Sequence, residues 1–307
     1  MDKVKIKAPA TVANLSCGFD VLGLCLDKPF DEIEVSKIGR NEVSIDILDS
    51  PYSNIPSNPE KNTGGVPALS IIKDLNLDFG FNIKIKKGIP LCGGMGSSAS
   101  TASGVVFGIN QILNNRLTKK EMLKYALEGE GVSVSNAHAD NIAPCLLGGL
   151  TLIRDTKSLD IINVPISDYC ISLIHPHFYI STQEARDILP TNIKLSSAIT
   201  QWGNIGALVL GFMLNDNKLI ARAMNDVVIE PVRSGLIKGF DDIKNNAIEL
   251  GAIGCSISGS GPTMFALCEN ETIAQNILDF SESFYQKLNI NCDTYLSRVN
   301  TLGSTII

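Results

Sequence analysis

The chain opens on alternation. From Val4 to Lys7, through the segment DEIEVSKI that ends at Ile38, and again from Glu42 to Leu48, apolar or β-branched residues recur at every second position. That is the period of a strand with one covered face. Pro51 to Pro67 breaks the pattern with Pro, Asn, Ser and Gly and reads as a loop, after which helical spacing predicts a helix over Ala68 to Leu75. FNIKIKKGIP, ending at Pro90, is a further alternating strand that runs straight into a Gly-Ser segment, and apolar positions from Val105 to Leu113 predict the helix that follows. Thr118 with Glu121 three residues on is a capping-box signature, so a helix is expected over Thr118 to Leu127.

Polar residues then lead to a turn at Gly148–Gly149 and a strand from Leu150 to Arg154. Further on the pattern predicts strands at Cys170 to Ile174 and Pro262 to Cys268, and helices over Ser197 to Leu214, Leu219 to Asn225 and Gly239 to Leu250. Strands mixed with helices in both halves indicate an α/β or α+β architecture. The expected boundary lies near Asp155 to Asp168, giving domains of residues 1–160 and 161–307; whether the segment from Thr301 to Ile307 packs on the first or the second is open.

Composition narrows the possibilities. A length of 307 residues suits two domains of roughly 100–200 residues each. Hydrophobic residues at 44% and charged residues at 19% mark an ordinary globular chain rather than a disordered one. A net charge of -6 argues against nucleic acid or an anionic membrane as main partner, so an anionic ligand has to meet a local positive site. The eight cysteines are scattered singly without CxxC spacing, which speaks against a metal cluster or disulfide framework and for a reducing cytoplasm. The start carries no apolar signal core, and apolar stretches such as Ile205 to Leu214 fall short of the roughly 20 residues of a membrane span.

The sharpest local chemistry is the run Pro90, Leu91, Cys92, Gly93, Gly94, Met95, Gly96, Ser97, Ser98, Ala99 and Ser100. Successive glycines let backbone N–H groups close on an anion, and the following helix offers its positive end. Ser97 and Ser98 stand where hydroxyls could meet phosphate oxygens or magnesium. A flexible linker is the alternative, but strand and helix flank the run tightly. The spacing is neither that of a Rossmann nor of a Walker A motif. A second Gly-Ser turn spans Gly254 to Ala266, and Lys7 to Gly23 sets Asn14 and Asp20 among small and apolar residues.

Taken in this order and at these separations, the three segments resemble the three motifs of the GHMP kinases, a family named for galactokinase, homoserine kinase, mevalonate kinase and phosphomevalonate kinase, with Met95 where the family usually has Leu. Within it, APATVANLSCGFDVLG near the start, HADNIAPCLLGG from His138, STQEARDILP from Ser181 and DVVIEPVR from Asp226 are similar to the homoserine-phosphorylating branch. The resemblance implies an α+β enzyme with a ribosomal-S5-like first domain and a ferredoxin-like second domain, often dimeric, that passes phosphate from ATP to L-homoserine directly. It implies that the Pro90–Ser100 loop holds the triphosphate, that Ser98 and Glu130 hold Mg2+, and that Asn62 lies beside the adenine. Asn14, Asp20, His138, Thr182, Arg186, Arg233 and Gly259 are the implied substrate positions. Asp140 or Asn141 would face the reacting hydroxyl, with Asp20 also among the catalytic positions; Asn141 is favoured for orienting it, with no covalent intermediate.

Overall fold

A computed structural model describes residues 1–48, 52, 55–132 and 138–307. In chain order the first part holds β1 (Lys3–Ala13), β2 (Leu22–Ile38), β3 (Val43–Leu48), α1 (Gly65–Asp74), β4 (Gly80–Lys86), α2 (Ser97–Ile112), α3 (Lys119–Glu130), α4 (Ala139–Leu147), β5 (Leu150–Asp155) and β6 (Asp160–Val164). Then follow β7 (Cys170–Pro176), α5 (Thr182–Asp187), α6 (Leu195–Leu214), α7 (Asn217–Ala223), α8 (Glu230–Arg233), α9 (Phe240–Glu249), β8 (Gly254–Ile257), β9 (Met264–Cys268), α10 (Glu271–Lys287), β10 (Cys292–Arg298) and β11 (Thr305–Ile306). The architecture is α+β, the one of the two classes left open by the pattern that the family resemblance implies.

Two sheets carry it. The larger has the order β11-β1-β2-β4-β3, with β5 joining β2 and β6 joining β5. β2 is long enough to serve two neighbours on one edge: Leu22 to Leu24 pair with β5, while Glu32 to Ile38 pair with β4. The last strand, whose place the sequence leaves open, pairs Ile306 with Ile6 and so belongs to this sheet. The smaller sheet runs β10-β7-β9-β8, antiparallel throughout. Its inner strands are buried at every position, which is why they read as unbroken apolar runs rather than alternation.

Three apolar clusters follow from these layers. α1 to α4 cover one face of the large sheet through Ile33, Phe81, Val105 and Ile142. A second cluster, with Val12, Leu24, Leu173, Phe212 and Phe265, welds the large sheet to the small one. The third lies between the small sheet and α9 and α10, around Ile243, Ile277 and Tyr285. Gly104 and Gly108 are where α2 crosses the sheet, since a Cβ on either would fall within 2.7 Å of Ala8 or Val35 side chains.

The predicted capping box is present, with Thr118 Oγ1 accepting from the Glu121 N–H and the Glu121 carboxylate accepting from Thr118 N–H. Two expectations need correction. The polar-looking stretch before Gly148 is a buried helix, α4, whose apolar face outweighs Pro144 within it. The apolar-stretch reading also passes over α6, which by length and composition alone is long and apolar enough to cross a membrane: an 18-residue window in it has a mean hydropathy of 1.2, and 28% of that window is buried. Counting uninterrupted apolar residues hid this, because the Ser, Thr, Gln, Asn and Gly that interrupt α6 carry no charge.

Phe265 sits at the weld between the sheets with no exposed surface. Phe265→Ala is expected to lower the unfolding free energy by about 3–5 kcal/mol, measured by urea denaturation.

Candidate active site

The phosphate-loop candidate begins on a buried ion pair. Asp31, in β2, accepts from Gly88 N–H at 2.9 Å and Ile89 N–H at 3.1 Å, fixing the exit from β4. Its carboxylate also pairs with the Lys87 ammonium, which donates to Ser97 O at 2.9 Å and Thr101 Oγ1 at 3.0 Å. Both side chains are almost wholly buried. A cation is thereby anchored under the N-terminal end of α2, where partial positive charge already gathers.

The loop then turns through left-handed backbone at Cys92, Gly94 and Gly96, with φ of 54°, 78° and 66°. Gly96 has a second reason to lack a side chain: a Cβ there would lie 2.2 Å from Thr11 Oγ1 and 2.8 Å from Asn141 Oδ1. On Gly94 it would lie 2.3 Å from Ser258 O, in the third motif. Ser258 Oγ in turn donates to Gly94 O at 2.7 Å. The first motif closes on the same place. Thr11 N–H donates to Met95 O, Thr11 Oγ1 donates to Asn141 Oδ1 at 2.7 Å, and Asn14 Nδ2 donates to Gly259 O at 2.9 Å.

These segments surround one cavity of about 500 Å³. Its lining includes Leu91, Cys92, Gly93, Gly94, Gly96, Ser97, Ser98, Asn62, Glu130 and Asn141, and it continues to Asn14, Asp20, His138, Asp140, Thr182, Arg186, Arg233 and Gly259. Four loop residues expected there do not line it. Pro90 and Met95 are buried in the loop, while Ala99 packs into the first core and Ser100 Oγ donates to Ala8 O, both on the sheet-facing side of the first turn of α2. Asn62 reaches the cavity wall with its amide engaged in the turn: Oδ1 accepts from Gly64 N–H at 2.8 Å, and Nδ2 donates to Pro56 O at 2.7 Å.

At the loop end, Ser98 Oγ donates to Glu130 Oε1 at 2.9 Å. Burial pushes the Glu130 carboxyl up to about 7, against the opposing pull of the Ser98 hydrogen bond and the Lys87 charge. One carboxylate and one hydroxyl are a thin set for a metal held by protein alone, and no group of three or more His, Cys, Asp or Glu gathers among the described residues. That set fits magnesium, which takes one or two carboxylates and completes its shell with phosphate oxygens and water.

At the other end, two guanidiniums flank the Phe19 ring, Arg186 at 5.3 Å and Arg233 at 5.1 Å from its centroid. Arg186 makes a two-pronged bond to Asp20, at 3.0 and 3.1 Å. Arg233 is buried and donates only to carbonyls, those of Ala185 at 2.9 Å and Gly259 at 3.0 Å, and no carboxylate lies within ion-pair distance of it among the described residues. Burial, and then repulsion from Arg186, bring its guanidinium down to about 10, still a cation at neutral pH. His138 Nδ1 stands 3.5 Å from Asp20 Oδ2, and burial lowers the pKa of the imidazole, which is therefore neutral at pH 7. The Asp140 carboxyl is raised to about 7, first by burial and then by the Asp20 and Glu130 charges.

Sequence reasoning missed Lys87, Asp31 and Phe19. A lysine between an alternating strand and a Gly-rich loop is a legible signal for Lys87; Asp31 and Phe19 act through partners distant in the chain, and no local pattern marks them.

Residues 66–149 match the GHMP kinases N terminal domain and residues 207–287 the GHMP kinases C terminal domain. Homoserine kinase of Chloroherpeton thalassium is 41% identical across the whole of both chains. The chain belongs to the GHMP kinases, within their homoserine kinase group. The crystal structure of homoserine kinase from Cytophaga hutchinsonii superposes on this GHMP kinase with a TM-score of 0.96 at 44% identity, covering 100% of this chain and 98% of that one. A mevalonate kinase from L. major, at 13% identity, shares the fold with a TM-score of 0.75 over 97% of this chain and 96% of its own. The family to which this GHMP kinase belongs uses ATP as substrate.

Asp140 gives this kinase a pH signature. Its folded-state pKa lies above that of an unfolded aspartate, so between about pH 4 and pH 7 the folded state holds more protons and stability falls as pH rises. Asp140→Asn removes that loss. The variant's stability advantage over the parent is expected to widen from pH 4 to pH 7 and to level off above, by urea midpoints at pH 5 and pH 8.

Proposed function

We propose that the chain transfers the γ-phosphoryl group of ATP to the side-chain hydroxyl of L-homoserine, giving O-phospho-L-homoserine for threonine synthesis. The observation that carries this is charge placement. Two guanidiniums and a carboxylate, Arg186, Arg233 and Asp20, stand at one end of the cavity whose other end is the phosphate loop. A neutral sugar needs no such fork, whereas the carboxylate of an amino acid does. The homoserine carboxylate takes Arg233 and Arg186, and its ammonium takes Asp20 with the Asn14 side-chain oxygen. His138, Thr182 and the Gly259 backbone complete the acceptor pocket.

On the donor side the residues from Leu91 to Ser98 hold the triphosphate through backbone N–H groups, with Lys87 beneath them. Asn62 shapes the wall near the nucleoside. Ser98 and Glu130 would hold Mg2+, which would supply positive charge to neutralise phosphate oxygens. Attack is in line: the homoserine oxygen bonds to the γ-phosphorus as the bond to the bridging oxygen of ADP breaks, and the hydroxyl proton is released. Asn141 orients that hydroxyl, a role supported by its place against Gly96. The loose transition state makes little demand on a base, so Asp140 tunes the field around the hydroxyl while Asp20 holds the ammonium.

The expected split into residues 1–160 for ATP and 161–307 for the second domain is part of the same reading, moved so that β6 and β11 go with the large sheet, to which both are hydrogen-bonded. So are a homodimer and a cytoplasmic setting, the latter in keeping with eight cysteines that are all unpaired.

ADP release by the purified chain, with and without L-homoserine, tests the proposal; turnover that homoserine does not raise overturns it. Arg186→Met is expected to raise KM for homoserine about 10- to 100-fold, the scale of one charged hydrogen-bond set, with KM for ATP little changed. Asn141→Ala is expected to lower kcat more than it raises KM; an unchanged kcat removes Asn141 from the mechanism.

A further inference from the structure

Helix α6 is held to the protein by one face. Ala198, Gln201, Leu208 and Phe212 are buried, and Gln201 Nε2 donates to Cys17 O and to Asp226 Oδ1, both at 2.9 Å. The opposite face is bare. Leu195, Ile199, Trp202, Leu210, Met213 and Leu214 are between 48% and 69% exposed. Their spacing of mostly three or four residues lines them up in one stripe along the helix. At about 200 Å² for a large side chain the stripe presents on the order of 700 Å² of apolar surface. That exceeds the roughly 300–600 Å² of the largest patch on an ordinary monomer. It approaches the roughly 800 Å² that each partner of a standard interface buries.

The same stripe contains two glycines that the chain does not use. Among the described residues a Cβ on Gly203 or Gly206 would meet nothing within 4 Å. Mid-helix glycine costs about 1 kcal/mol relative to alanine, so a purpose inside this chain is missing. The sequence around them is self-complementary under an antiparallel two-fold. With Gly203 opposite Gly206 of the partner subunit, Ile199 faces Leu210 of the partner subunit and Leu195 faces Leu214 of the partner subunit. The flanking Lys194 then lies beside Asp216 of the partner subunit, an opposite charge. Bare glycines at the crossing allow the two backbones to approach closely.

We infer that this face of α6 is the surface through which a second copy of the chain binds, α6 against α6 across a two-fold axis. An isologous contact needs one patch that matches itself, which the register above supplies. A lipid surface fits less well: a helix lying on a membrane carries Lys and Arg along its polar face, whereas α6 has no charged residue and the chain is net negative at -6. The inference rests on the homodimer in the proposed function and gives it a location.

Trp202, the single tryptophan of the chain, sits in the stripe and reports directly. Sedimentation equilibrium of the full chain is expected to give a dimer of the 33.0 kDa subunit, and dilution into the monomer range a red shift of tryptophan emission. Ile199→Glu combined with Leu210→Glu is expected to yield a folded monomer by circular dichroism. A wild-type dimer whose emission does not change on dissociation, or a double variant that stays dimeric, places the dimer contact elsewhere and overturns the α6 assignment while leaving the homodimer standing. A wild-type chain that is monomeric at 100-fold the concentration of the emission measurement overturns both. Binding of that monomer to phosphatidylglycerol vesicles would assign the stripe to lipid instead.

Discussion

Everything at this site depends on a contact between backbones. Gly94 of the phosphate loop and Ser258 of the third motif approach so closely that no Cβ fits between them, and the Ser258 hydroxyl closes the gap with a hydrogen bond to Gly94 O. The loop belongs to the large sheet and the Ser258 turn to the small one, so this is where two separately built layers are brought into register. The second apolar core supplies the force that presses them together, and the glycines set how near they come. The acceptor groups inherit their positions from it, because Asn14 and Arg233 both donate to the carbonyl of Gly259, one residue past Ser258. Donor and acceptor ends of the cavity are thus measured from the same few backbone atoms.

The charge distribution answers a problem set by composition. A chain of net charge -6 has to attract an anionic nucleotide. Its cavity meets anions with cations that are held in place: Lys87 by Asp31 beneath the phosphate loop, and beside Phe19 the buried Arg233 by carbonyl oxygens and the part-exposed Arg186 by Asp20. Held in this way they lose little freedom on binding and act where water is sparse, so each counts for more than a surface lysine. Glu130 and Asp140, both raised to about 7 by burial, limit the negative charge in the cavity when it is empty of ligand.

How much of this was legible in the sequence follows the range of the interactions. The phosphate loop, the capping box at Thr118 and the alternating strands are local patterns, and a single pass along the chain finds them. Arg186 and Arg233 were legible only through the family resemblance, since an arginine on a helix is ordinarily a surface residue. Helix α4 was hidden because its buried Asp140 and internal Pro144 read as loop chemistry, and α10 because its apolar positions, Ile277 and Tyr285 among them, are diluted by polar neighbours. Asp31 and Phe19 owe their importance to partners more than fifty residues away, as in Asp31 with Lys87 at a separation of 56. No window along the chain contains both members.

The bond between Asp20 and Arg186 is usually read as a brace, yet it is also a toll on incomplete ligands. A molecule with a carboxylate and no ammonium can reach Arg186 only by prising Asp20 away and leaving it with the neutral His138 for company. A zwitterion hands each of the two residues a replacement. On the proposed reading the Asp20–Arg186 pair holds the place of a ligand's two opposite charges, so an anion without an ammonium gains Arg186 only by displacing Asp20.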